Sequence, residues 1–135
     1  MGILKQIIRR YKKYYSMSIY DYDTFEIKNI LEAKSLKRKF PNRKINLLHR
    51  HSSIIWQGPI YVKILSEKLR NKNFNYIVEI GDNIALTLLL ISFKVKILAI
   101  DKKKVKNQMK RIFSITKKKE IKFICLDKLK IIENY

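Results

Sequence analysis

Two short stretches of this chain hold most of the residues whose types and spacing suit ligand chemistry. The first is Glu79, Gly81, Asp82 and Asn83, followed twenty positions after Gly81 by Asp101. A glycine permits a tight strand-to-helix turn, and Asp82 or Asn83 can cap the helix that follows, leaving free N–H groups to face an anion. An acid about twenty residues on has the spacing of a carboxylate that accepts ribose hydroxyls. The second is His49-Arg50-His51 with Trp56 and Gln57, within HRHSSIIWQGP. On a strand His49 and His51 share a face, which suits a metal or a phosphate, while Arg50 and Trp56 can grip and stack a base. No third ligand stands at a spacing that completes a zinc site. The structural alternative is a polar strand end followed by a tryptophan that anchors its loop on the core. This segment departs most from the Lys-, Ile- and Asn-rich background, which makes it the preferred place for a selected function.

The stretch IVEIGDNIALTLLLISFKVKILAID, residues 77–101, resembles the opening of class I S-adenosylmethionine-dependent methyltransferases. In that family the first strand ends in E-x-G and the second in an acid. The resemblance implies a Rossmann-like fold in which the loop after Gly81 cradles the methionine part of the cofactor and Asp101 holds the ribose. Asp82, Asn83, Ile84 and Ala85 replace the family's further loop glycines, and side chains there fill the room through which a backbone approaches a cofactor. The expectation is therefore a noncatalytic Rossmann-like relative that binds a nucleotide or nothing, with a methyltransferase-like enzyme as an alternative.

The elements that must position these residues are legible from periodicity. Tyr76–Gly81, Val95–Asp101 and Ile121–Asp127 are short β-branched or apolar runs, and between them lie an apolar helix over 83–93 and a basic-faced one over 102–116. Strands alternating with helices predict a β-α-β-α-β unit over 74–135 with parallel pairing, covered on both faces. Upstream, Lys44–His51 reads as a short strand. Pro59 marks the first position of a helix through Arg70, and Thr24 caps a helix running toward Lys37. Ser18–Phe25 suits a connection or an edge strand. Ile3, Leu4, Ile7, Ile8, Tyr11, Tyr14 and Tyr15 predict a basic amphipathic helix over 1–17 that lies on the domain or docks on an anionic surface. The fold expected is one α/β domain over 1–135, a small three-layer Rossmann-like body with a mainly parallel sheet of three or four strands.

Composition limits the rest. Lys and Arg number 31 against 11 Asp and Glu, a formal charge of +20, which favours anionic partners or reflects compositional drift. The single cysteine, Cys125, excludes an intramolecular disulfide and a cysteine-based zinc cluster. No apolar run reaches the ~20 residues of a membrane-spanning helix, and the N-terminus lacks the clean apolar core of a secretory signal, so a cytoplasmic location is expected. Two binding classes follow. One is a module holding a nucleotide or phosphorylated ligand through Glu79, Gly81, Asp82, Asn83 and Asp101 together with the His49–Gln57 segment. The other is an RNA- or ribosome-associated protein working through basic faces and Trp56.

Overall fold

A computed structural model describes residues 18–104, 107–116 and 120–133; the helix expected over 1–17 lies outside them. Along the chain run β1 (Asp23–Ile27), α1 (Ile30–Lys39), β2 (Ile45–His49), α2 (His51–Gln57), α3 (Pro59–Lys68), β3 (Phe74–Glu79), α4 (Ile84–Ser92), β4 (Ile97–Ile100), α5 (Asn107–Thr116), β5 (Lys122–Cys125) and β6 (Lys130–Ile131). Single 3-10 turns at Ile19–Asp21 and Leu126–Lys128 precede β1 and join β5 to β6. The helices begin where local chemistry allows. The side chain of Asn29 accepts the Glu32 N–H to cap α1, that of Asn83 accepts the Leu86 N–H to cap α4, and Pro59 opens α3 after Gly58 at φ 86°.

All pairings are parallel, in the order β5-β4-β3-β2-β1-β6. The strands expected to end at Gly81, Asp101 and Asp127 are β3, β4 and β5, and they are adjacent and parallel as the alternation required. The sheet as a whole has six strands, not three or four. Of β1 only the first part was legible, in the edge-strand alternative for Ser18–Phe25, because Thr24 reads as a helix cap. It lies instead inside the strand, and Asn29 does the capping. β6 has two residues, too few to carry a periodic signal.

Chain geometry makes this sheet curl. A flat six-stranded sheet separates its edges by five strand spacings, about 24 Å. Only four residues join β5 to β6, and five Cα steps reach at most about 18 Å. The edges are drawn together, and the Cys125 N–H on β5 donates to the Tyr20 hydroxyl beside β1 at 2.9 Å.

Curling divides the interior into two cores. On the outer face Phe25, Ile27, Ile45, Leu47, Val78, Leu98 and Ile100 pack with residues of all five helices, among them Leu36, Ile54, Leu65, Leu90 and Ile112. The inner face closes on itself through Leu48, Ile77, Ala99, Ile124 and Leu129, covered by Ile19, Tyr20 and Leu126 and, among the described residues, by no α-helix. Among the described residues the expected three layers are thus one helical layer on a curled sheet. β1 to β5 follow one another without reversal, so every described helix falls on the same side. A doubly wound sheet needs the reversal that is absent here. Of the strand residues expected to be buried, Val78, Ile80 and Ala99 are; Ile97, Phe123 and Cys125 are half-buried because β4 and β5 lie toward one edge.

Candidate functional site

At the carboxyl ends of the strands, Glu79, Gly81, Arg50 and His51 come together, while Asn83 and Asp101 bond to their own neighbours in the chain. Glu79 Oε1 accepts the His51 N–H at 2.9 Å and faces Arg50 Nε at 3.4 Å, while Arg50 also approaches Glu26 Oε1 at 3.7 Å. Gly81 has φ 60°, a conformation that favours glycine, and a Cβ there would meet the His51 ring at 3.1 Å. The room beside Gly81 therefore holds an imidazole. His51 Nε2 is buried without a hydrogen-bond partner among the described residues. Asn83 is occupied as the α4 cap, and Asp101 Oδ1 accepts the Lys103 N–H at 3.0 Å.

His49 and His51 do not share a face, because the strand ends at His49 and α2 begins at His51. His49 is fully buried on the outer face of β2. Gln57 Nε2 donates to the Lys28 carbonyl, which orients its amide so that Oε1 accepts from His49 Nε2 at 2.6 Å. His49 Nδ1 is then the acceptor, 2.7 Å from the Tyr76 hydroxyl. The imidazole is neutral: burial lowers its pKa from 6.5, outweighing the Gln57 bond and the Glu32 charge that raise it. Burial likewise raises the pKa of Tyr76, which stays a donor. This relay ties β3, β2, α2 and the β1–α1 connection together. It is structural, and no group of three or more His, Cys, Asp or Glu capable of holding a metal occurs among the described residues. Trp56 does not anchor a loop to the core. It stands on α2, 88% exposed.

The amino ends of the strands hold what sequence reasoning missed. A cleft of about 390 Å³ opens there, lined by Ser66, Arg70, Asn71, Lys72, Phe74, Asn75, Tyr76, Lys94, Lys96 and their apolar neighbours. Its origin is in the strand register. β3 pairs with β2 from Phe74 onward, but with β4 only at Val78 and Glu79. The first residues of β3 thus lack a neighbour on the β4 side, and the gap between the strands is the cleft.

Its charge is one-sided. Arg70, Lys72, Lys94 and Lys96 line it, and among the described residues the lining contains no carboxylate. The carboxyl ends of α3 and α4 lie at this edge, each carrying a partial charge of roughly −0.5. Two such half-charges leave four full cations clearly dominant. A neighbouring depression shares Lys94 and Lys96 and adds Glu120.

Lys94 is held there at a cost. α4 ends with the Lys94 N–H donating to the Ile91 carbonyl and the Val95 N–H donating to the Leu90 carbonyl, a Schellman motif. Lys94 occupies its left-handed position at φ 61°, where glycine is preferred. The signal in the sequence was a cation at the start of β2, β3, β4 and β5, at Lys44, Lys72, Lys96 and Lys122, but a lysine-rich background concealed it.

No helix among the described residues is long and apolar enough to cross a membrane. The chain matches no protein-family model, no curated protein and no solved structure.

Proposed function

We propose that this protein is a noncatalytic binding module for a phosphate-bearing ligand, and that the ligand occupies the cleft at the amino ends of β3 and β4. The observation that carries this reading is the cleft's lining, four cations with no carboxylate among the described residues. Arg70 can offer two parallel N–H donors to a phosphate and the lysines three rotatable donors each. Asn71, Asn75 and Ser66 supply neutral polar groups beside them. The carboxyl ends of the strands serve this purpose less well, because Glu79 and Glu26 there already face Arg50. Strand order also lacks the reversal that opens a crevice at that end. The reading includes a cytoplasmic location, which suits a chain whose only cysteine, Cys125, is free.

Lys94 gives the test, because stability and binding pull it in opposite directions. Lys94→Gly relieves the left-handed backbone and should stabilise the fold by up to about 1 kcal/mol, while removing a cation from the cleft. Calorimetric titration with pyrophosphate should show affinity falling at least fivefold in the variant as its melting temperature rises. Pyrophosphate that fails to bind the wild type, or that binds the variant equally well, rejects the reading.

A further inference from the structure

Resting on that reading, we infer that the occupant of the cleft is a single-stranded nucleic acid whose backbone runs along the amino edge of the sheet from β2 to β5.

The cations continue beyond the cleft on both sides. Arg43 and Lys44 enter β2, and the Ile45 N–H bonds the Asn73 carbonyl, which sets Lys44 beside the segment of Arg70 and Lys72 that enters β3. Lys94 and Lys96 enter β4. The Lys122 N–H bonds the Lys96 carbonyl, placing the first residue of β5 next in line. Four adjacent parallel strands are thus each entered through basic residues. At about 4.8 Å per strand their starting points span about 14 Å. A lone phosphate cannot reach across that distance, whereas a chain of phosphates can.

Aromatic rings are interleaved with the same cations. Lys44 Nζ lies 5.4 Å from the Tyr22 ring centre, Arg43 and Lys39 lie 5.2 and 5.8 Å from that of Phe40, and Phe74 lines the cleft. Half-buried rings beside a basic track are the chemistry of base stacking along a single strand. A lipid headgroup would make no use of them. Carboxylates among the described residues adjoin the track at two places. Asp23 pairs with Arg43, and Glu120 lies in the depression past Lys94 and Lys96. The bound strand is therefore expected to follow Lys44, Lys72, Lys94 and Lys96.

The test uses fluorescence anisotropy of labelled twelve-nucleotide oligouridylate and oligothymidylate with the full chain. Wild type should bind one or both, with log affinity falling against log salt at roughly −0.7 per phosphate contact, near −3 for the four lysines named. Lys94→Gln with Lys96→Gln, and Lys44→Gln with Lys72→Gln, should each weaken binding at least fivefold. Lys102→Gln with Lys103→Gln, exposed lysines just after β4, removes the same charge from the opposite edge and should leave affinity within twofold. The corresponding Lys→Arg pairs should retain binding, which separates lost contacts from lost folding.

Equal losses in the Lys102/Lys103 pair would overturn the inference, because total charge alone would then govern binding. So would pyrophosphate binding that depends on Lys94 and Lys96 while neither oligonucleotide binds, or while the Lys44/Lys72 pair leaves oligonucleotide affinity unchanged. In the first case the phosphate reading stands without the nucleic acid, and in the second it stands without the track along the edge. Loss of both ligands' binding removes both.

Discussion

His49 and His51 are separated by one arginine and have unrelated roles. His49 is held neutral between the Tyr76 hydroxyl and Gln57, and His51 lays its ring over the one position of its neighbourhood that has no side chain, Gly81. A pH prediction belongs to His49. Its folded pKa lies below the ordinary 6.5, so the unfolded chain takes up a proton first as pH falls. The associated stability is complete above pH 6.5 and declines below it, toward the lower folded value. The melting temperature of the wild type should therefore drop between pH 8 and pH 5.5 by more than that of His49→Gln, measured side by side. An equal drop in both proteins would show that His49 does not sense pH.

Among the elements, the curled sheet depends on polar as well as apolar contacts on its inner face. Thr24, Asn46 and Asn75 lie at one level of β1, β2 and β3. Asn46 Nδ2 donates to the Ile19 carbonyl at 2.8 Å and to Thr24 Oγ1 at 3.1 Å, and its Oδ1 accepts from Asn75 at 3.0 Å. This fully buried amide ties the turn before β1 to three strands. Asn46→Ala strands the Ile19 carbonyl and the Asn75 amide, at about 1–3 kcal/mol for each group that stays buried. Urea denaturation should show a loss of that order, and a loss below about 0.5 kcal/mol would mean water replaces the amide at no net expense. Asn75 also lines the cleft, so the variant should weaken pyrophosphate binding as well.

The whole molecule carries +20 charges on 135 residues, and in that number lies a cost. Like charges repel most strongly at low ionic strength, where the screening length reaches about 30 Å at 0.01 M against about 8 Å at 0.15 M. Melting temperature should rise as sodium chloride increases over that range. A pyrophosphate-saturated sample should rise less, since the cleft cations are then already compensated. Salt-independent melting would show that the charges are too far apart to burden the fold. Apolar side chains are exposed in number on the helical layer, with Leu31, Ile55, Trp56 and Ile60 all above half exposure. No contact among the described residues explains their placement.

Local information in the sequence determined a good part of this protein. Alternating apolar runs and helix stripes fix β3, α4, β4, α5 and β5, because parallel strands buried on an α/β sheet must be continuous apolar segments linked by helices. Pro59 fixes the start of α3. The acids and glycine at the strand ends were correctly placed at one edge, yet their partners were illegible. Glu79 meets Arg50, which joins β2 to α2, and His51, the first residue of α2, nearly thirty residues away in the chain. Three features were decided only by tertiary structure. Burial by long-range pairing makes Thr24 a strand residue against its capping preference. A connection of four residues between β5 and β6 curls the sheet, and strand order without reversal puts all the described helices on one face. The offset by which β3 meets β2 before β4 opens a cleft among Arg70, Lys72, Lys94 and Lys96. Each is a matter of register between distant segments, and local side-chain periodicity is the same at every register that keeps the faces in phase.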